Sequence, residues 1–193
     1  MHNSNIHHDQ HDRTIFGFWL YLMSDCILFG VLFAVYAVLR NNTFGGPSTT
    51  DILHLPSALA ETLIMLTSSF TCGLALFAAY RKSVTGTISW IGITFLLGAA
   101  VLVMALMDFN QLILEGNSWQ RSGFLSAFFG LLGTHGLHIA GGLVWMVVLV
   151  PQLLVYGLTS VTFRRLICFK MFWQFLNIVW IFIYTFVYLM GAR

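Results

Sequence analysis

The stretch Phe124–Tyr156, FLSAFFGLLGTHGLHIAGGLVWMVVLVPQLLVY, decides the fold. It is a long continuous apolar run, and its centre is Gly133-Thr134-His135-Gly136-Leu137-His138. A bilayer-spanning helix needs about 20 mostly apolar residues, and this run exceeds that. Its length predicts a helix that either tilts strongly or breaks near Pro151, where the ring removes a backbone hydrogen bond. The two histidines are ionisable groups at a depth where such groups are expensive, so they are the first candidates for function.

Four further runs of the same kind lie at about Ile15–Leu39, Ser57–Tyr80, Ile88–Asp108 and Ile167–Met190. Together the five fill most of the 193 residues, of which 58% are hydrophobic and 8% charged; the mean hydropathy is +0.83. Soluble domains carry about 25% charged residues. The chain therefore reads as an integral membrane protein. Barrel strands would be short and alternating, so the expected fold is all-α: five transmembrane helices in one bundle over residues 15–193, preceded by a polar tail over residues 1–14. The connecting segments are short and rich in turn formers, too small for an extramembrane domain. The N-terminus lacks the basic start and short apolar core of a signal peptide, which predicts that the first span is retained.

Lys and Arg divide unevenly between the two ends of such a bundle. Arg13, Arg81, Lys82, Arg164, Arg165 and Lys170 fall on the N-terminal side, and Arg40, Arg121 and Arg193 on the other. The positive-inside rule then places the N-terminus in the cytoplasm and the C-terminus outside. Trp19, Tyr21, Trp90 and Tyr188 lie near span ends, where aromatic rings favour the headgroup zone. The net charge of +2, with no basic patch interleaved with aromatics, argues against nucleic acid as a partner. Cys26, Cys72 and Cys168 are too far apart for a zinc knuckle or a redox pair and are expected to be small buried apolar residues.

Five polar residues fall within the spans: Asp25 near mid-depth of the first, Glu61 about one turn into the second, Asp108 closing the third, and His135 and His138 deep in the fourth. An ionised Asp at a helix centre costs about 3 kcal/mol, so each group should be neutral, paired or wet. His135 and His138 share one helix face, three residues being roughly 300° of turn. Metal or haem ligation fails on counting: no other span has a deep histidine, and two nitrogens from one helix leave a zinc or copper site short unless Asp25 or Glu61 completes it. An interhelical hydrogen-bond pair, to Asp25 or Glu61, fits better; proton handling and lipid headgroup contact are the remaining readings. Small residues surround the histidines, and Gly136 with Ala140 forms a small-xxx-small pair that predicts close approach of a neighbouring helix. His2, His7, His8 and His11 form with Asp9 and Asp12 a polar stretch that reads first as a disordered tail and, as a sharper hypothesis, as a cytoplasmic proton buffer. No nucleophile–base arrangement, nucleotide loop or GxSxG elbow is present.

Three stretches carry a resemblance: Phe16-Gly17-Phe18-Trp19-Leu20-Tyr21-Leu22-Met23-Ser24-Asp25-Cys26; Arg121-Ser122-Gly123-Phe124-Leu125-Ser126-Ala127-Phe128-Phe129 running into the HGLH segment; and Phe172-Trp173-Gln174-Phe175-Leu176-Asn177-Ile178-Val179-Trp180, with Tyr188-Leu189-Met190-Gly191 closing the chain. The sequence resembles subunit III of the haem–copper terminal oxidases, in the short five-span form of cytochrome bo-type ubiquinol oxidases. The resemblance covers everything after the tail. It implies a non-catalytic accessory subunit of a bacterial inner-membrane respiratory complex. Haem and copper would reside in subunit I, the partners would be subunits I, II and IV, and phospholipid would be bound in a V-shaped cleft between the first two helices and the rest. Trp19, His54, Arg121 and Trp173 are the expected lipid contacts. Asp25, His135 and His138 match family polar positions, and Asp108 stands for a glutamate. His54-Leu55-Pro56, Ala105, Gln174 and Asn177 depart from the family pattern, each removing or altering an ionisable group, which fits a scaffold better than an obligatory proton path. The competing reading is a stand-alone proton-coupled transporter or quinone-binding protein that uses Asp25, Glu61 and the HxxH face as a relay.

Overall fold

The computed structural model describes residues 2–40, 55–116, 120 and 122–189, with side chains placed over 13–40, 56–116, 120 and 122–189. Five helices make up the described chain: α1 (His2–Leu39), α2 (Leu55–Tyr80), α3 (Val84–Leu114), α4 (Gly123–Tyr156) and α5 (Ser160–Ile183), the last continued by a wider π-helical turn over Tyr184–Leu189. All five are long and apolar enough to cross a membrane. In hydrocarbon every backbone polar group must be satisfied within the segment, and helices do this.

Local chemistry fixes the ends. The Ser83 side chain accepts from Gly86 N at the start of α3, and Ser122 accepts from Leu125 N at the start of α4. Thr159 and Thr162 form a reciprocal capping box that opens α5. The helix thus starts at Ser160, seven residues before the expected start of the fifth span, because caps rather than hydropathy set where the backbone turns helical. α4 closes at Gly157, whose φ of 63° suits glycine. Pro151 does not break α4, which is continuous over 34 residues, roughly 51 Å. Pro151 is exposed and close to the helix end, where the loss of one hydrogen bond is tolerated. α1 runs back to His2, so the backbone of the polar stretch continues the first helix rather than forming a separate coil.

α2, α3, α4 and α5 close a four-helix ring through the contacts α2–α3, α3–α4, α4–α5 and α2–α5, and α1 packs outside it against α4 and α5. The first two helices therefore do not stand together apart from the other three. α2 belongs to the ring and α1 does not, so the expected division of the bundle into two arms is corrected.

Trp173 of α5 sits at the middle of the ring and is fully buried. A Cβ at Gly98 of α3 would lie 2.8 Å from its ring, and one at Gly142 of α4 would lie 2.7 Å away. Its Nε1 donates to Ser68 Oγ of α2 at 2.9 Å. One side chain thus meets all three other ring helices. The close approach expected at Gly136 and Ala140 is found here instead. A Cβ on Gly136 would meet only Leu102 at 3.9 Å, and Gly130, Gly133 and Gly141 would meet nothing. Trp173 is correspondingly a core residue and not the expected lipid contact.

α2 is stitched to α5 by further polar contacts. Trp180 Nε1 donates to Thr62 Oγ1 at 3.0 Å, and Ser69 Oγ donates to Gln174 Oε1 at 3.3 Å. Partners advance along α2 as they retreat along α5, the register of an antiparallel pair. Such contacts are worth about 0.6 kcal/mol each in membranes. Gln174, where the family pattern has an ionisable group, thus still bonds across helices. Cys26 is exposed on α1, contrary to the burial expected of it, whereas Cys72 and Cys168 are buried.

Gly142→Val is expected to destabilise the protein by about 1–3 kcal/mol through overpacking against Trp173, whereas Gly130→Ala leaves stability unchanged. Unfolding in detergent, followed by tryptophan fluorescence, measures both.

Candidate functional site

The polar residues expected to act together separate onto two sides of α4. His135 is 1% exposed and points into the ring. Its Nε2–H donates to the Leu176 carbonyl of α5 at 3.2 Å, and its ring lies against Trp180 with centroids 5.3 Å apart. His138 points toward α1. Its Nδ1–H donates to the Thr134 carbonyl one turn back at 2.7 Å, and its Nε2 lies 3.7 Å from Asp25 Oδ2. Phe29 of α1 fills the corner between the two imidazoles, with centroids 6.3 Å from His135 and 5.2 Å from His138.

The Asp25–His138 pair has a definite protonation logic. With Nδ1 committed as a donor, a neutral His138 presents a bare lone pair at Nε2. Opposite it Asp25 Oδ2 is buried and has no hydrogen-bond partner among the described residues. Two facing acceptors repel, so the pair is attractive only when a proton resides on one of them. At 3.7 Å the contact is longer than a hydrogen bond, and it is an ion pair only with His138 protonated.

Glu61 of α2 is 2% exposed, and its Oε1 has no hydrogen-bond partner among the described residues. It bonds to neither histidine. It lines a cavity of about 250 Å³ enclosed by α2, α3, α4 and α5, whose walls include Asp108, Glu115, His135, Trp180 and Tyr188. Asp108 does not close α3, which runs on to Leu114; it is half-buried at the cavity wall. Tyr188, expected as a headgroup anchor, is 5% exposed and faces the same space. Tyr188 lies within the π-helical turn, whose wider spiral rotates its side chains relative to an α-helical continuation. Ala105 also lines the cavity, so the missing family glutamate leaves room there.

Asn177 donates from Nδ2 to the Trp173 carbonyl at 3.0 Å, while its Oδ1 is buried without a partner among the described residues. Trp19 is 50% exposed on the outer face of α1, as a lipid contact requires. The side chains of His2, His7, His8, His11, His54 and Arg121 lie outside the described residues. Sequence reasoning missed Thr62, Ser68 and Gly98, which with Gly142, one of the small residues of the fourth span, hold the two tryptophans of α5. Small hydroxyl and glycine positions inside the spans were the available signal.

The fold and these sites define a polytopic helical membrane protein whose buried polar groups couple helix to helix. The family described as Cytochrome c oxidase subunit III matches residues 3–192. The chain is 52% identical over 191 residues to the cytochrome bo(3) ubiquinol oxidase subunit 3 of Pseudomonas aeruginosa, covering 99% of this chain and 91% of that one. It is 40% identical to the quinol oxidase subunit 3 of Bacillus spizizenii, covering 98% and 95%. It is 39% identical to the cytochrome c oxidase subunit 3 of Bacillus sp. strain PS3, covering 91% and 84%. The chain belongs to the cytochrome c oxidase subunit III family.

A double-mutant cycle over Asp25→Asn and His138→Gln is expected to give a coupling of about 1 kcal/mol in unfolding free energy, near the upper range for polar pairs in membranes. His135→Gln combined with Asp25→Asn should be additive, because His135 faces the other side of α4.

Proposed function

We propose that this chain is the accessory third subunit of a bo-type quinol oxidase in the bacterial inner membrane. It supports quinol oxidation coupled to dioxygen reduction and proton translocation, and carries no catalytic residue itself. The observation that carries the reading is the 52% identity, across 99% of the chain, to a subunit of that name. Haem and copper would sit in subunit I, against which this chain chiefly packs, with subunits II and IV as further partners. The stand-alone transporter or quinone-binding reading is not favoured, since eight relatives at 39–52% identity all bear oxidase-subunit names.

Bound phospholipid is part of this proposal. Support comes from a groove between α1 and α5 lined by Arg13, Arg164 and Arg165, with Trp145 at its wall. Arginines at a helix end beside an aromatic ring suit a lipid phosphate at the headgroup level. The same basic end supports placing the N-terminus in the cytoplasm and the C-terminus in the periplasm.

Purification through a tag on this chain tests the assignment. Haem-bearing partners are expected to co-purify, and the haem spectrum should stay with them when the chain is stripped away. A chain that runs alone and transports solute in liposomes would overturn the reading. The histidine-rich N-terminus is proposed to buffer protons at the uptake side. Deleting residues 2–12 should then lower turnover selectively within the histidine titration range; an identical pH profile sinks that part.

A further inference from the structure

We infer that the cavity between α2, α3, α4 and α5 is a binding site for an organic ammonium group. Glu61, Asp108 and Glu115 line the cavity, Glu115 also accepting from Gln111, and no Lys or Arg is among the described lining residues. Glu61 is 2% exposed, and its Oε1 lines this space without a hydrogen-bond partner among the described residues. A buried carboxylate oxygen left unpaired is costly, and a cation in the cavity would complete it.

The shape of the lining selects the kind of cation. No three of the described His, Cys, Asp and Glu side chains converge closely enough to share a metal ion. The acidic groups are spread along a space of about 250 Å³. Four aromatic residues, Phe109, Phe128, Trp180 and Tyr188, share the remaining wall with aliphatic side chains such as Leu112, Leu132 and Ile139. Rings with carboxylates between them are the chemistry that receives an alkylammonium: the faces attract the cation and its polarised methyl or methylene groups, and the carboxylates neutralise it. His135 and Tyr188 are the other ionisable groups facing the space. His135 Nε2–H is already given to the Leu176 carbonyl, so that edge of the ring does not compete for the carboxylates.

Glu115 and Gln111, exposed near the end of α3, and Ser57, near the start of α2, line one end of the cavity. Val101 lies at the far end, roughly 21 Å along α3 from Glu115. An ammonium could arrive there on a lipid headgroup or as a soluble amine, and both present the same chemistry. The inference does not depend on which assembly the chain belongs to.

The test uses the intact assembly that purifies with the chain, stripped of lipid in a non-ionic, amine-free detergent. The probes are choline and its neutral carbon isostere, 3,3-dimethylbutan-1-ol, in calorimetric titrations. Choline should bind saturably and the isostere should bind about tenfold more weakly or not at all. Glu61→Gln should weaken choline by about tenfold or more. Ala105→Phe, which fills the cavity while keeping every carboxylate, should abolish binding and covers the case in which Glu61→Gln fails to fold. Equal binding of choline and isostere, no saturable choline binding, or wild-type affinity in Ala105→Phe would each overturn the inference. Headgroup analysis before stripping distinguishes the sources. Phosphatidylethanolamine retained by wild type and lost in Ala105→Phe identifies a lipid ammonium; choline binding without such retention identifies a soluble amine.

Discussion

The indole of Trp173 is the contact on which the bundle depends. In a bilayer, lipid tails solvate apolar side chains as well as other helices do, so hydrophobicity does not draw helices together. Shape and hydrogen bonding must do it. Trp173 supplies both from one side chain: its ring occupies the space left by Gly98 and Gly142, and its Nε1 reaches Ser68. Without the two glycines the ring would collide with α3 and α4, and without Ser68 a buried N–H would be orphaned. The three smaller residues therefore set both the spacing and the rotation of the ring helices about α5.

That rotation decides what the polar residues can do. With the face of α4 bearing Gly142 turned onto Trp173, His135 and His138 straddle the boundary between the ring interior and α1. One imidazole is bonded to α5 and the other faces Asp25 on α1. The HxxH spacing thus joins two helix interfaces, which is a different task from converging on one ligand. Glu61 is separated from Asp25 by the same geometry, so a single relay through Asp25, Glu61 and both histidines has no contiguous path among the described contacts.

Much of this architecture was legible beforehand. Length and hydropathy alone mark five spans, because the bilayer imposes one thickness on all of them. The short loops then force neighbours in sequence to run antiparallel, and the resemblance supplied the family. What could not be read was rotation about each helix axis. A histidine pair at 3.6-residue periodicity looks the same whether its two members meet one neighbour or two. Trp173 reads as a lipid contact because tryptophan suits either lipid or a glycine-lined core, and only the positions of Gly98 and Gly142 on other helices distinguish them. Tyr188 was misplaced for a related reason: a π-helical turn carries no simple sequence signature, yet it changes the direction of the side chains within it. Cys26 shows the reverse error, since a small apolar residue in hydrocarbon gains nothing by facing protein.

The charged residues are polarised along the bundle axis. Arg13, Arg164 and Arg165 gather at one end between α1 and α5, and Glu61, Asp108 and Glu115 line a space toward the other. Residues at the two ends are too far apart to neutralise one another, at roughly 30 Å across the hydrocarbon against a Debye length of about 8 Å in surrounding water. Any neutralising partner at either end is therefore a local one. An anionic lipid surface meets the basic end, in keeping with the positive-inside distribution. The acidic end is partly withdrawn from water, where mobile salt screens poorly, and Glu61 lies deepest within it. The proposed ammonium would sit against the unpartnered Oε1 of Glu61 and join α2 to α3 across the cavity.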